Sequence, residues 1–296
     1  MKILMIIQDF KDYMRHYYTD DILMQEHYNR GHEVYCATPL ALNYTDTLSI
    51  HCRKYTPLAE LAQFDCAQKF EISSFNYVYL RAMPPVEKDF LAATYLLEKQ
   101  KVTFCNHPTA IRNFNEKILC VEYFKKYMAP TIITSNKDEI MSFANEYSYP
   151  VIIKPLDAYQ AHGVTKILNK EDIPKLENLH MVQSYINNVE TLGSKRVFVV
   201  KDQIIGAISF LPKAGDYITN FWIIHGYANA TVTEKEHKIC QEIIVFLQNN
   251  KVNFAAVDFI DEYLMEVNIT SPGGIPEYNI HHHTSLEKVA VDVLMS

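Results

Sequence analysis

The stretch VDFIDEYLMEVNITSP, residues 257–272, sets two carboxylates and an amide, Asp258, Glu266 and Asn268, into a run whose other positions are mostly apolar. It reads as a buried β-hairpin. An odd-length loop centred on Glu262 sets Asp258 opposite Glu266. In that register Val257, Phe259, Met265, Val267 and Ile269 share one apolar face, while Asp258, Glu266 and Asn268 share the other with Ala256, Ile260 and Leu264. Paired β-carbons lie about 5 Å apart, so two ionised carboxylates there repel unless positive charge lies between them. An oxygen-only set of two carboxylates and one amide suits Mg2+, which keeps several waters or phosphate oxygens rather than taking a full protein cage. The polar face of an ordinary solvent-facing hairpin explains the same residues, and the hairpin alone leaves both readings open.

Composition narrows the field. The chain has 296 residues, 48% hydrophobic and 21% charged, with a net charge of −7, enough to bury a sizeable core in roughly two domains. It carries no basic stripe that could track a nucleic-acid backbone, so nucleic acid is not an expected partner. The apolar run KILMII at residues 2–7 is too short for a signal-peptide core or a membrane span, which points to a cytoplasmic protein with no membrane partner. Six cysteines, at 36, 52, 66, 105, 120 and 240, show no CxxC pair and no zinc spacing, and read as free, mostly buried thiols.

Along the chain, residues 2–7 read as a buried strand, followed by a helix near 19–30 with Thr19 as N-cap and Gly31 at its end. Strands at 33–36, 77–81 and 102–105 and a helix at 87–100 complete a β-α-β alternation, hence a mostly parallel sheet covered by helices. A helix from Asn115 to Tyr127, a strand at 131–134 and a helix capped by Ser135 follow. The remainder is hairpin-rich α+β, with helices near 233–249 and 284–295, the last with Thr284 and Glu287 spaced as a capping box. The boundary falls at about residue 115.

A Mg2+ site of this kind usually serves a nucleotide, which calls for cations near the phosphates. Lys154 ends the apolar run PVIIK, and Lys117 lies at the start of a helix in NFNEK. For either alone, an exposed or snorkelling lysine is the commoner reading.

The segments YVYLRAMPP (77–85), LAATYLLE (91–98), NHPTAIRNFNEK (106–117), IIKPLD (152–157), VQSYI (182–186), KRVFVV (195–200) and VDFIDEYLMEVNITSP together resemble an ATP-grasp ligase of the prokaryotic glutathione synthetase type along nearly the whole chain. The resemblance implies an α/β and α+β architecture: an N-terminal doubly wound α/β domain at 1–115 and an ATP-grasp domain at 116–296, with a lid subdomain at about 130–190 and a core at 191–296. It implies ATP and Mg2+, with Mn2+ as the alternative ion, peptide or amino-acid substrates, and a homo-oligomer. In that family ATP phosphorylates one substrate's carboxylate, and the amine of a second attacks the acyl phosphate. The nearest pair is γ-glutamylcysteine and glycine. Carried over by position, Lys117 and Lys154 contact ATP phosphates, and Gln183, Ser184, Tyr185 and Ile186 form the hinge that meets the adenine. Asp258, Glu266 and Asn268 hold the metal, and Arg196 faces the substrate or the transferring phosphate beside Lys154. Asn268, Thr270 and Ser271 border the substrate, Arg81 helps to close its pocket, and Glu190 deputises for the family's ribose-binding acid, which Ser194 replaces.

The departures lie in the covering loops. After Asp157 the family's glycine-rich loop is replaced by AYQAHG, with a single glycine, Gly163. Phe210 stands where the family has an arginine, and GDYITNFWIIHGYANA replaces the substrate loop, with Asn220 as its remnant. His162, Lys213 or His225 are the candidate replacement cations. Such changes leave two further readings: a ligase for another peptide or amino-acid pair, and a nucleotide-binding homologue without catalysis. The run His281–His283 lacks the i,i+4 spacing of a shared helical metal site and reads as lining of the substrate end, after Gly273 and Gly274. Tyr13, Tyr17 and Tyr18 read as half-buried packing.

Overall fold

A computed structural model of the chain describes residues 1–8, 10, 19–57, 63–81, 86–158, 161–219 and 226–296. Tyr13, Tyr17, Tyr18, Tyr159, Gln160, Asn220 and His225 lie outside these residues.

The first sheet is built on β1 (Lys2–Ile7), which is apolar on both faces as a sandwiched parallel strand must be. Parallel to it run β2 (Glu33–Ala37) on one side and β7 (Tyr77–Arg81) on the other, with β8 (Thr103–Phe104) beyond β7. β3 (Leu42–Tyr44), β4 (Leu48–Thr56), β5 (Gln63–Phe64) and β6 (Gln68–Glu71) extend the other edge, all antiparallel. The sheet is therefore mixed where the sequence suggested a mostly parallel one. The irregular 37–76 stretch hid these strands because its polar residues do not alternate cleanly.

Ile3, Met5 and Ile7 point into a core shared with α1 (Thr19–Asn29), whereas Leu4 and Ile6 meet Phe90, Ala93 and Leu97 of α2 (Lys88–Leu97). In the first described turn of α1 the Thr19 hydroxyl accepts from the Ile275 N–H (3.3 Å). Gly31 leaves the helix at φ +76°, as expected.

α3 (Pro108–Asn113) and α4 (Glu116–Tyr123) lead onward, and the Asn115 side chain caps α4 by accepting from the N–H groups of Lys117 and Ile118. A four-stranded antiparallel sheet follows, in the order β11 (Thr165–Ile167), β10 (Val151–Pro155), β12 (His180–Ser184), β9 (Thr131–Thr134), backed by α5 (Lys137–Tyr147). Asn136 is the N-cap of α5, one residue beyond the expected Ser135, because its Oδ1 reaches the Asp138 N–H at 2.8 Å.

The short helix α6 (Val189–Leu192) precedes a third sheet, ordered β15 (Gly226–Asn229), β14 (Gln203–Leu211), β13 (Ser194–Val200), β16 (Phe254–Ile260), β17 (Tyr263–Asn268). Val197, Val199, Val257 and Phe259 face α4 and α7 (Glu234–Asn249), while Phe198, Val200, Phe254 and Ala256 join the core under β1. α8 (Ile275–His282) and α9 (Leu286–Met295) close that shared core. The expected Thr284–Glu287 capping box does not form: Glu287 accepts from the Asn279 side chain (2.6 Å), and Asn279 itself accepts from the Leu286 N–H (2.7 Å). Five of the six cysteines are buried, Cys66 is exposed, and all are free. Among the described residues no helix is long and apolar enough to cross a membrane.

Candidate active site

The β16–β17 hairpin pairs Asp258 with Glu266 and Ala256 with Asn268, so the three polar side chains share one face. The route to that register differs from expectation. Asp261 and Glu262, at φ +47° and +63°, form a two-residue turn of the kind that fits the strand twist. A bulge between Asp258 and Phe259 then restores the Asp258–Glu266 pairing, with Met265 as the extra residue opposite it. Leu264 consequently joins Val257, Phe259 and Val267 in the core, and half-buried Met265 leaves it, correcting the faces expected at those two positions.

Each carboxylate is held by a cation. Arg196 lies beside Asp258 in the β13–β16 ladder and grips it bidentately, Nε to Oδ1 at 2.7 Å and a terminal nitrogen to Oδ2 at 2.6 Å. Its other terminal nitrogen donates to the Gly273 carbonyl at 3.0 Å. Asn268 Nδ2 donates to Asp258 Oδ2 at 3.0 Å. Lys117, placed by the α4 cap, donates 2.8 Å bonds to Glu266 Oε1 and to the Ala158 carbonyl. Burial works against the Lys117 and Arg196 charges, but the facing carboxylates outweigh it and raise both pKa values.

Lys154 is placed differently. It projects from β10 towards the same face, and among the described residues its one hydrogen bond goes to the neutral amide of Gln183 (2.9 Å). Burial pulls its pKa down to about 8, with Glu266 opposing and Lys117 assisting the shift. The half-buried ammonium thus keeps two protons that no described residue accepts. Gln183 is fixed in turn by its bond to Thr131 (2.9 Å), so its side chain organises Lys154 instead of projecting from the hinge.

The rest of the hinge follows the strand. The Ser184 and Tyr185 N–H groups donate to the carbonyls of Pro130 (3.0 Å) and Pro150 (3.3 Å), and the Ile186 carbonyl accepts from Val189 (3.1 Å). Ser184 Oγ is buried without a partner among the described residues. The Tyr185 hydroxyl donates to Glu190, which also pairs with Lys166 at 2.9 Å. These bonds, the tyrosine's first, hold the Glu190 pKa down. Lys166 lies 3.7 Å from the Tyr185 ring centroid, and Tyr217, in the segment that precedes the undescribed residues 220–225, stands edge-on to Tyr185 at 6.2 Å.

Arg81 is buried, donating to Asp20 (2.6 Å) and to the Pro272 carbonyl (2.9 Å), and so braces the turn after Ser271. Two carboxylates escaped the sequence reading. Glu116 Oε1 accepts from the Ile269 and Thr270 N–H groups (2.7 and 2.8 Å), which fixes the end of β17. Burial and the nearby Glu266 charge raise its pKa. Glu277, in the first turn of α8, has a buried Oε2 with no partner among the described residues. Glu116 follows a helix cap, where acids are routine, so its sequence carried no signal.

Of the changed loops, Gly163 is required: at φ +73° any β-carbon would come within 2.8 Å of Pro155. Phe210 is buried and packs edge-on to Tyr227 at 5.9 Å, so no cation occupies that position. Lys213 and His162 are exposed. Among the described residues no group of three or more His, Cys, Asp or Glu could hold a metal, which includes His281–His283. Asp258, Glu266 and Asn268 still fit a hard divalent ion through their oxygen-only donors, the carboxylates paired directly across two strands.

A solved D-cycloserine synthetase superposes with a TM-score of 0.69 at 12% identity, covering 99% of each chain. An ATP-grasp RimK domain protein from Sphaerobacter thermophilus gives 0.61 at 13% over 100% of each. These likenesses define the ATP-grasp fold. The family model for the prokaryotic glutathione synthetase N-terminal domain matches residues 1–112, and that for its ATP-grasp domain matches residues 116–283. The chain belongs to the prokaryotic glutathione synthetase family of ATP-grasp ligases, whose cofactors are ATP and a divalent metal. It is 29% identical to the glutathione synthetase of Prochlorococcus marinus subsp. pastoris over 100% of this chain and 99% of that one. It is 32% identical to that of Parasynechococcus marenigrum over 71% of each.

Proposed function

We propose that the chain joins γ-glutamylcysteine to glycine, using ATP to form an acyl phosphate on the first substrate. The observation that carries this reading is the convergence of Lys117 and Arg196 on the Glu266–Asp258 pair, next to a half-buried Lys154 whose one hydrogen bond among the described residues goes to a neutral amide.

In this reading Lys117 and Lys154 receive the ATP phosphates. Residues 183–186 border the adenine: the backbone and Tyr185 do so directly, and Gln183 acts by fixing Lys154. Glu190, steadied by Lys166, takes the ribose. Asp258, Glu266 and Asn268 hold Mg2+ or Mn2+, which when bound neutralises the phosphate charge. Arg196 is anchored by Asp258, and its guanidinium faces the transferring phosphoryl group, where cationic stabilisation counts for most. The segment Asn268 to Ser271, fixed by Glu116 and braced by Arg81, borders the peptide, and Asn220, outside the described residues, is assigned to the substrate by the resemblance alone. Residues 1–115 form one domain and 116–296 the other, with the lid at about 130–190 and the core at 191–296. The resemblance further supports a cytoplasmic homo-oligomer, which sedimentation of the pure protein tests.

ADP release with γ-glutamylcysteine and glycine, compared with other carboxylate and amine pairs, tests the substrate assignment. Turnover confined to the first pair supports it; a faster second pair reassigns the amine. Phe210, packed on Tyr227 where the family carries a cation, favours such a second reading for the amine side.

A further inference from the structure

Glu277 is a half-buried acid, with one buried oxygen, that the site described above does not use. α8 starts beside the reaction centre, because Arg196 donates to the Gly273 carbonyl just before the helix (3.0 Å). Glu277 lies in the first turn, and its Oε2 is buried with no donor among the described residues. A buried acceptor left without a donor is destabilising. The groups facing it are Arg196 from β13, Tyr227 from β15 and its own backbone N–H. One turn further along α8, the His281 ring lies tilted by 54° to that of Tyr227, with centroids 6.3 Å apart. Arg196 is already committed to Asp258 and Gly273, so no described cation neutralises Glu277 by direct contact. The helix cannot shift freely. A β-carbon at Gly206 would come within 2.9 Å of the Tyr278 ring, so Tyr278 seats α8 directly on β14.

Resting on the ligase reading above, we propose that Glu277 is the amine subsite: its carboxylate receives the ammonium of the second substrate and takes one proton from it. The acceptor amine is an ammonium at neutral pH and has no lone pair with which to attack. Transfer of H+ from the ammonium to Glu277 gives the neutral amine and a carboxylic acid. The amine nitrogen then bonds to the acyl carbon, the carbon–oxygen bond to phosphate breaks, and the second amine proton leaves with the phosphate. The subsite thus takes primary amines whose nitrogen fits between a carboxylate and an aromatic wall. Burial, opposed by Arg196 and the Glu277 backbone N–H, raises the Glu277 pKa, as a proton acceptor requires.

The test compares glycine with hydroxylamine, which is already neutral at pH 7, using γ-glutamylcysteine as the carboxylate and ADP release as the readout. In Glu277→Gln the ratio of kcat/KM for glycine to that for hydroxylamine falls by about 100-fold. The glycine rate of the variant recovers as pH rises through the amine's own pKa. An unchanged ratio and pH profile overturns the proposal while leaving the ligase reading intact. Equal loss with both amines assigns Glu277 a purely structural role and also overturns it. A wild-type protein silent with both amines contradicts the substrate reading itself, and the proposal falls with it.

Discussion

In the proposed site the proton on Lys154 sets how tightly a phosphate is held. Burial lowers its pKa from the ordinary 10.5 to about 8. Between those values the folded chain binds fewer protons than the unfolded one, so this residue's contribution to stability rises with pH. Nucleotide binding needs the ammonium and runs the other way. ATP affinity measured calorimetrically should fall by up to about tenfold per pH unit above 8, and Lys154→Met should flatten that dependence. Asp258 makes a second residue-scale prediction. Asp258→Asn leaves Arg196 half-buried beside a neutral amide, which should cost about 3 kcal/mol and lower Tm by several degrees. Arg196→Met in the same chain should recover part of that loss, since the two residues form one unit. The sequence showed which residues these were, because a lysine ending an apolar strand and paired acids in a buried hairpin each break the local pattern. It could not show that cations already grip both acids, since Lys117 and Glu266 are 149 residues apart.

At the scale of elements, the bulge in the β16–β17 hairpin keeps the acidic face in register. Deleting Met265 should remove the bulge and leave Glu266 opposite Asp258 and Asn268 opposite Ala256 in a regular ladder. The variant should keep Mg2+-dependent ATP binding by calorimetry, and loss of that binding in a protein still folded by circular dichroism would contradict the pairing. The strands themselves were legible from their apolar alternation. The turn was not: Asp261 and Glu262 occupy left-handed conformations without the glycine or asparagine that advertises them. The same limit applied to helix starts, where Asn136 rather than Ser135 caps α5 and Asn279 displaces the expected box before α9. Several residues there could cap, and tertiary contacts choose among them.

Across the whole molecule, Asn106 stitches the first sheet's trailing loop to the third. Its amide donates to the carbonyls of Phe254 (2.7 Å) and Ile269 (2.5 Å), and its oxygen accepts from the Asn253 and Phe254 N–H groups, both at 2.9 Å. Asn106→Ala strands several of these buried groups and should destabilise the chain by about 2–4 kcal/mol, read as a lower midpoint in urea unfolding. The order of segments made the two-part architecture and its family legible. The merging of both parts into one core through α8 and α9 was not, because their apolar residues suit either sheet equally. The central claim is that Asp258, Glu266 and Asn268 hold a metal so that Lys117 and Lys154 can receive its nucleotide. Titrating pure protein with ATP, with and without Mg2+, tests this most directly. The account predicts binding that strengthens at least tenfold with Mg2+ and loses that gain in Glu266→Gln; affinity indifferent to Mg2+, or unchanged in the variant, would contradict it.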